Sequence, residues 1–375
     1  MAAPNHPTLL SAVVPAGGGA PGVPETLMAF ARSERLVNTP DFAIGHLGIS
    51  WMGDRLGGSL RFRHARTGWS SWQPLRPGDP SSSGRSTALI PAGGALAYQV
   101  MPPAGAEDLQ TVAINTTDGP LVAQAAASRE VQGFRFVSRA GWGADESLRF
   151  APDGSEIFPQ AYFPVQTLTV HHTVTANSDP DPAATVRAIY FFHTVSEDFS
   201  DIGYHLLIDQ NGTVYEGRYS GPDATPVFHG RSGDSPRMCN AAHVGGFNAG
   251  NVGVSLLGDF TITQPTPATR ASLVRVLAAL AGSTEIDPLG QVDYANPISG
   301  ATRTVPAISG HRNWSATACP GDAFYPHLPA IREDVARLLA AGETTEESTD
   351  ALRQRVPVDG LGGSGQPSTT RRRSG

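Results

Sequence analysis

The chain has 375 residues, 40% of them hydrophobic, which is enough for two domains and a full core. Its formal net charge of −7 argues against a nucleic-acid partner, whose phosphates need a basic face, and because all 27 basic residues are Arg, Lys is not among the catalytic candidates. Cys239 and Cys319 are the only cysteines, too few for a disulfide framework, and no apolar run approaches a membrane span, so a soluble chain is expected.

Residues 1–41 read as an extended Pro/Gly-rich lead-in with a short helix over 25–33. The apolar patch at 9–14 has no preceding basic residue and ends at Pro15, so it does not read as a signal peptide. Residues 42–124 read as a small all-β module of unassigned function, with short apolar runs at 44–51, 60–66 and 95–101 between Gly, Pro, Asp and Ser. Its Trp51, Trp69 and Trp72 are expected to pack in the core or at turns, with stacking on sugar rings as the alternative. A polar linker follows at 125–133.

From 134 to 340 strands and helices alternate, which predicts an α/β domain with a central mixed sheet flanked by helices. Asp181 and Pro182 are an N-cap and first-turn pair opening a helix whose Val186, Ile189, Tyr190 and His193 share a stripe, making His193 a packing residue. Asn211-Gly212 predicts a two-residue hairpin turn between strands at 204–208 and 213–218. A buried strand is expected at 252–257. Thr266-Pro267 opens a second helix with Leu273, Val274, Leu277 and Leu280 inward and Gly282 at its end, and a last helix is expected from 329 to 339. Residues 341–375, ending in Arg371 to Arg373, are expected to be a disordered tail.

Residues 167–175 read Thr-Leu-Thr-Val-His-His-Thr-Val-Thr, a strand whose side chains alternate between faces. His171 shares a polar, cleft-facing side with the threonines, and His172 falls on the core side with Leu168 and Val170. Far downstream, His311 and Cys319 bracket a loop after the apolar segment 305–308. A strand end followed by a loop can turn both toward one point, whereas a continuous helix would hold them more than two turns apart. Two imidazoles and a thiolate are three zinc ligands, and a tetrahedral ion held by three keeps one position open, the catalytic arrangement. The rival chemistry makes Cys319 a nucleophile with His311 as its base and no metal.

Several ordered motifs lie between 134 and 340: Ser138-Arg139-Ala140-Gly141-Trp142-Gly143, Val170-His171-His172-Thr173, Asp201-Ile202-Gly203-Tyr204-His205, Asp209-Gln210-Asn211-Gly212, Glu216-Gly217-Arg218, Ala242-His243, Asn251-Val252-Gly253-Val254 and the loop from His311 to Gly321. In these the chain resembles the peptidoglycan recognition protein and zinc-dependent N-acetylmuramoyl-L-alanine amidase family, and the β module resembles one found ahead of this domain in some actinobacterial amidases. The resemblance implies the amidase/peptidoglycan-recognition fold, Zn2+ held by His171, His311 and Cys319, and hydrolysis of the amide between N-acetylmuramic acid and L-alanine in bacterial peptidoglycan. It makes Tyr204 and Thr317 catalytic and puts His243 near the cleft as a substrate contact, while His205 reads as structural. It also implies a muropeptide-stem partner and a secreted or cell-envelope location; a monomer is expected. Non-catalytic receptors of the family typically lack the metal-binding cysteine, so Cys319 favours an enzyme over a non-catalytic peptidoglycan-binding module. Two departures stand out, the long loop between Tyr219 and Asn240 and the pair Asn313-Trp314, and no Asp or Glu in the motifs is an evident general base.

Overall fold

The computed structural model describes residues 12–13, 22–32, 37–78, 84–122, 128–131, 134–197, 199–222, 226–229 and 236–354, with the backbone alone at 12–13, 128–131 and 343–354. The N-terminal β module is built from β1 (Leu27–Ala31), β2 (Ile44–Gly53), β3 (Ser59–His64), β4 (Ser86–Ala95), β5 (Ala97–Met101) and β6 (Ala106–Asn115). One antiparallel sheet runs β1-β6-β2-β4; in the other, β3 pairs with β5 and with two short strands, Gly68–Trp69 and Gln73–Pro74. Alternating residues of both sheets, among them Leu47, Ile49, Trp51, Leu60, Phe62 and Val100, meet in one core. Trp51 is fully buried there, whereas Trp69 and Trp72 lie outside against the Arg61 guanidinium, at 4.7 and 4.6 Å.

The second body is a mixed sheet in the order β7 (Phe134–Val137), β10, β9, β11, β8, β12, where β8 is Thr167–His172, β9 Leu206–Ile208, β10 Val214–Glu216, β11 Asn251–Leu256 and β12 Ile308–Gly310. Only β9 and β10 pair antiparallel among these six; the other contacts are parallel. Helices α1 (Pro182–Phe191), α2 (Pro267–Thr284) and α3 (Leu328–Gln354) cover the sheet. Leu168, Val170, Leu206, Ile208, Val252 and Val254 pack against Leu273, Val276 and Leu277 of α2 and Ile331 and Val335 of α3. Leu207 and Tyr215, one residue out of phase, meet Val186, Ile189 and Tyr190 of α1 on the other side. The caps behave as their residue types dictate: Asp181 accepts from the Ala184 N–H at 3.0 Å and Thr266 from the Thr269 N–H at 3.1 Å.

Several elements differ from the expectations. The segment expected as a helix at 25–33 contains the strand β1, paired with β6, because its apolar residues find a sheet edge to join. The hairpin forms, but with a three-residue turn: Asp209 pairs with Thr213, its carboxylate accepts from the N–H groups of Asn211 and Thr213, and Gly212 takes the left-handed position at φ 81°. Helix α2 runs past Gly282 and ends at Glu285 in the left-handed conformation, and α3 continues to Gln354, beyond the stop expected near Leu339. Residues 355–375 and the apolar patch before Ala12 lie outside the described residues.

The module is fastened to α1. Thr116 donates to the Ala184 carbonyl at 2.8 Å, the Arg187 guanidinium donates to the Thr116 carbonyl, and Val112 and Ile114 of β6 pack on Ala188, Phe191 and Phe192. Among the described residues, no helix is long and apolar enough to cross a membrane.

Candidate metal centre

Strand β8 carries His171 to the C-terminal end of the sheet. The cross-strand hydrogen bonds of Thr169 to Asn251 (2.8 Å) and Ser309 (3.1 Å) mark the polar side that the residue alternation predicts. On the other side the His172 ring accepts from the Phe260 N–H at 3.1 Å and lies tilted beside the Phe260 ring, 6.2 Å between centroids. The alternation stops at His172, where the strand ends and Val174 turns to φ 56°.

His311 follows β12 directly, and the loop that returns Cys319 to it is held at many points. The Arg312 N–H donates to the Cys319 carbonyl, the Arg312 guanidinium reaches Asp322 and lies over Tyr325, and Asn313 donates to the Tyr325 hydroxyl. Trp314 is the anchor. It is 2% exposed, its indole N–H is 2.9 Å from both Thr169 Oγ1 and Ser309 Oγ, and its ring packs with Tyr294 and Phe247.

The result is a buried cluster in which donor atoms of His171, His311 and Cys319 all lie within 4.8 Å of one another. His171 Nδ1 stands 3.7 Å from Cys319 Sγ. Zinc bonds to nitrogen and sulfur at a tetrahedral angle would put those atoms about 3.6 Å apart, so the spacing and the donor chemistry both fit the ion. Burial, and then the neighbouring imidazoles, hold the His171 ring well below the ordinary histidine range, so it is neutral, the form in which an imidazole can ligate.

Tyr204 stands just before β9 instead of within it, which frees its ring from the strand's alternation. The ring lies 5.3 Å from His171 and 5.5 Å from His193, centroid to centroid. His193 packs there as expected, its Nδ1 accepting from the Gly203 N–H at 3.0 Å. Thr317 accepts from the Cys319 N–H at 3.0 Å, so its hydroxyl shapes the ligand loop and keeps a hydrogen to donate. His205 is structural: Nε2 donates to the Cys239 carbonyl at 2.7 Å, Nδ1 accepts from Gly253, and burial pushes its pKa down to about 4. His243, expected at the cleft as a substrate contact, lies beneath His171, with Nδ1 2.9 Å from His171 Nε2 and Nε2 2.8 Å from the Asn251 carbonyl. The anchoring contacts of Trp314 went unread in the sequence, although an apolar aromatic inside a polar loop was a signal for them.

Residues 161–322 match the family model described as N-acetylmuramoyl-L-alanine amidase. Two mammalian N-acetylmuramoyl-L-alanine amidases are similar: the human protein at 28% identity over 44% of this chain, and the pig protein at 31% over 51%. The match spans about a quarter of each relative's length, 25% and 26%. Among solved structures, Drosophila peptidoglycan recognition protein SD aligns over 50% of this chain and 89% of its own, at 25% identity and a TM-score of 0.36.

Proposed function

We propose that the domain hydrolyses the amide bond between N-acetylmuramic acid and L-alanine in bacterial peptidoglycan, with zinc held by His171, His311 and Cys319. The observation that carries this reading is the convergence of those three side chains, drawn from segments some 140 residues apart, into one buried set of nitrogen and sulfur donors. Zinc bound there supplies Lewis-acid polarisation of a carbonyl and acidifies water.

The chain's own groups do the rest. Tyr204, whose ring lies 5.3 Å from that of His171, is the group assigned here to hydrogen-bond the attacking water or the developing oxyanion. Thr317, whose hydroxyl accepts from the Cys319 N–H, is assigned to donate its own hydrogen to the reacting carbonyl from the same loop. The polar strand face of β8 and the Trp314 anchor hold the ligands, so little reorganisation is needed when substrate arrives.

The test is digestion of purified cell wall by metal-loaded and chelated protein. The reading expects new alanine N-termini on released stem peptides, intact glycan without new reducing ends, loss of activity with chelator and its return with zinc. Wall binding without any cleavage by the zinc-loaded protein would make this a recognition domain, and full activity of the metal-free protein would move the chemistry to Cys319 as nucleophile.

A further inference from the structure

We infer that His243 is a positioning residue that fixes the tautomer of His171, so that His171 offers Nδ1 to the metal. The inference rests on the zinc reading proposed above and adds a fourth side chain to the site. A carbonyl oxygen can only accept, so the 2.8 Å contact with the Asn251 carbonyl places the hydrogen of the neutral His243 ring on Nε2. His243 Nδ1 is then an acceptor, and the 2.9 Å contact to His171 Nε2 requires the hydrogen of His171 to sit on Nε2. The lone pair of His171 is left on Nδ1, the atom 3.7 Å from Cys319 Sγ.

The fold reserves space for this chain of contacts. His243 is 7% exposed and its ring lies on Gly253 of β11, where a Cβ would come within 2.6 Å of it; any larger residue there would evict the imidazole. The backbone that carries His243 is pinned as well, its N–H and that of Val244 both donating to Asn248 Oδ1, at 2.8 and 2.7 Å. With both ring nitrogens engaged inside the protein, His243 has none to offer substrate. A second imidazole thus does for His171 what a carboxylate or carbonyl does for other metal-bound histidines: it sets the ring's orientation and hydrogen.

The experiment compares the full chain with His243→Phe, which fills the slot without an acceptor, and His243→Asn, whose amide oxygen can stand near the place of Nδ1. Zinc affinity is read by competition with a chromophoric chelator, and the His171 tautomer by 15N NMR of the metal-free protein. Wild type should carry the His171 hydrogen on Nε2; His243→Phe should bind zinc about 10- to 100-fold more weakly, and His243→Asn should recover part of that loss. Equal zinc affinity in wild type and a folded His243→Phe, or a wild-type His171 protonated on Nδ1, would overturn the inference. If wild type itself takes up no zinc, the proposed function fails instead, and the tautomer measurement alone decides the role of His243. Should His243→Phe not fold, the Asn variant and the wild-type spectrum still decide it.

Discussion

Lowering the pH of the metal-free protein should unfold it through its buried neutral histidines, and His205 allows the size to be worked out. Its side chain has no exposed surface, and burial holds its pKa at about 4 against an ordinary 6.5. A histidine with a depressed folded pKa contributes stability that is fully present above 6.5 and is lost as pH falls toward the folded value, because the unfolded chain takes up the proton first. From pH 7 to pH 5 the linkage relation gives a loss of about 2 kcal/mol for this one ring. His46, buried beside Thr185 where the module meets α1, is held at about 4 by burial against a smaller opposing pull from Asp179, and adds a similar amount. Protonating His205 would also demand its Nδ1, which already accepts from Gly253. Urea unfolding followed across this range, with chelator present so that ligand protonation by loss of zinc does not intrude, should show the midpoint falling steadily below pH 6.5. A flat midpoint from pH 7 to 5, or a folded-state His205 ring that titrates near 6.5 by NMR, would refute the reasoning.

Three further outcomes test the site. His171→Ala should abolish zinc binding, whereas His172→Ala should keep it and lose roughly 1–3 kcal/mol, since the Phe260 N–H is left buried without its acceptor; zinc content and urea midpoints separate the two. Tyr204→Phe should retain zinc and wall binding while turnover drops on the order of a hundredfold, and an unchanged rate on purified wall would reduce the ring to a packing role. Trp314→Phe removes one donor from Thr169 and Ser309 at once, so the ligand loop should loosen: a loss of about 2 kcal/mol in unfolding together with weaker zinc retention is expected, and wild-type values for both would show that the loop does not depend on this contact.

Much of the centre was legible because its signals are local. Period-two alternation in 167–172 separates His171 from His172 without any tertiary knowledge, and a short loop after an apolar strand is a sufficient reason for His311 and Cys319 to converge. Capping chemistry likewise located the starts of α1 and α2. What stayed hidden depends on partners distant in sequence: the residues of β1 form a strand only because β6 offers an edge 80 residues later, and His243 meets His171 only where Gly253 of β11 leaves room for its ring. Helix ends were read less well, since Gly282 is tolerated inside the last turn of α2 and the cap fell to Glu285.

The way the β module sits on α1 bears on how the part that matches the amidase family model can be isolated. The stretch that matches the amidase family begins at residue 161, yet Phe136 and Trp142 lie in the same packed clusters as the sheet, and Val112 and Ile114 shield Phe191 and Phe192. A fragment cut at the family boundary would bare two adjacent phenylalanines and leave Arg187 without the Thr116 and Trp142 carbonyls it binds. Such a fragment should precipitate or self-associate. The unit that sequence similarity outlines is smaller than the unit that folds, and expression boundaries are better drawn ahead of β1.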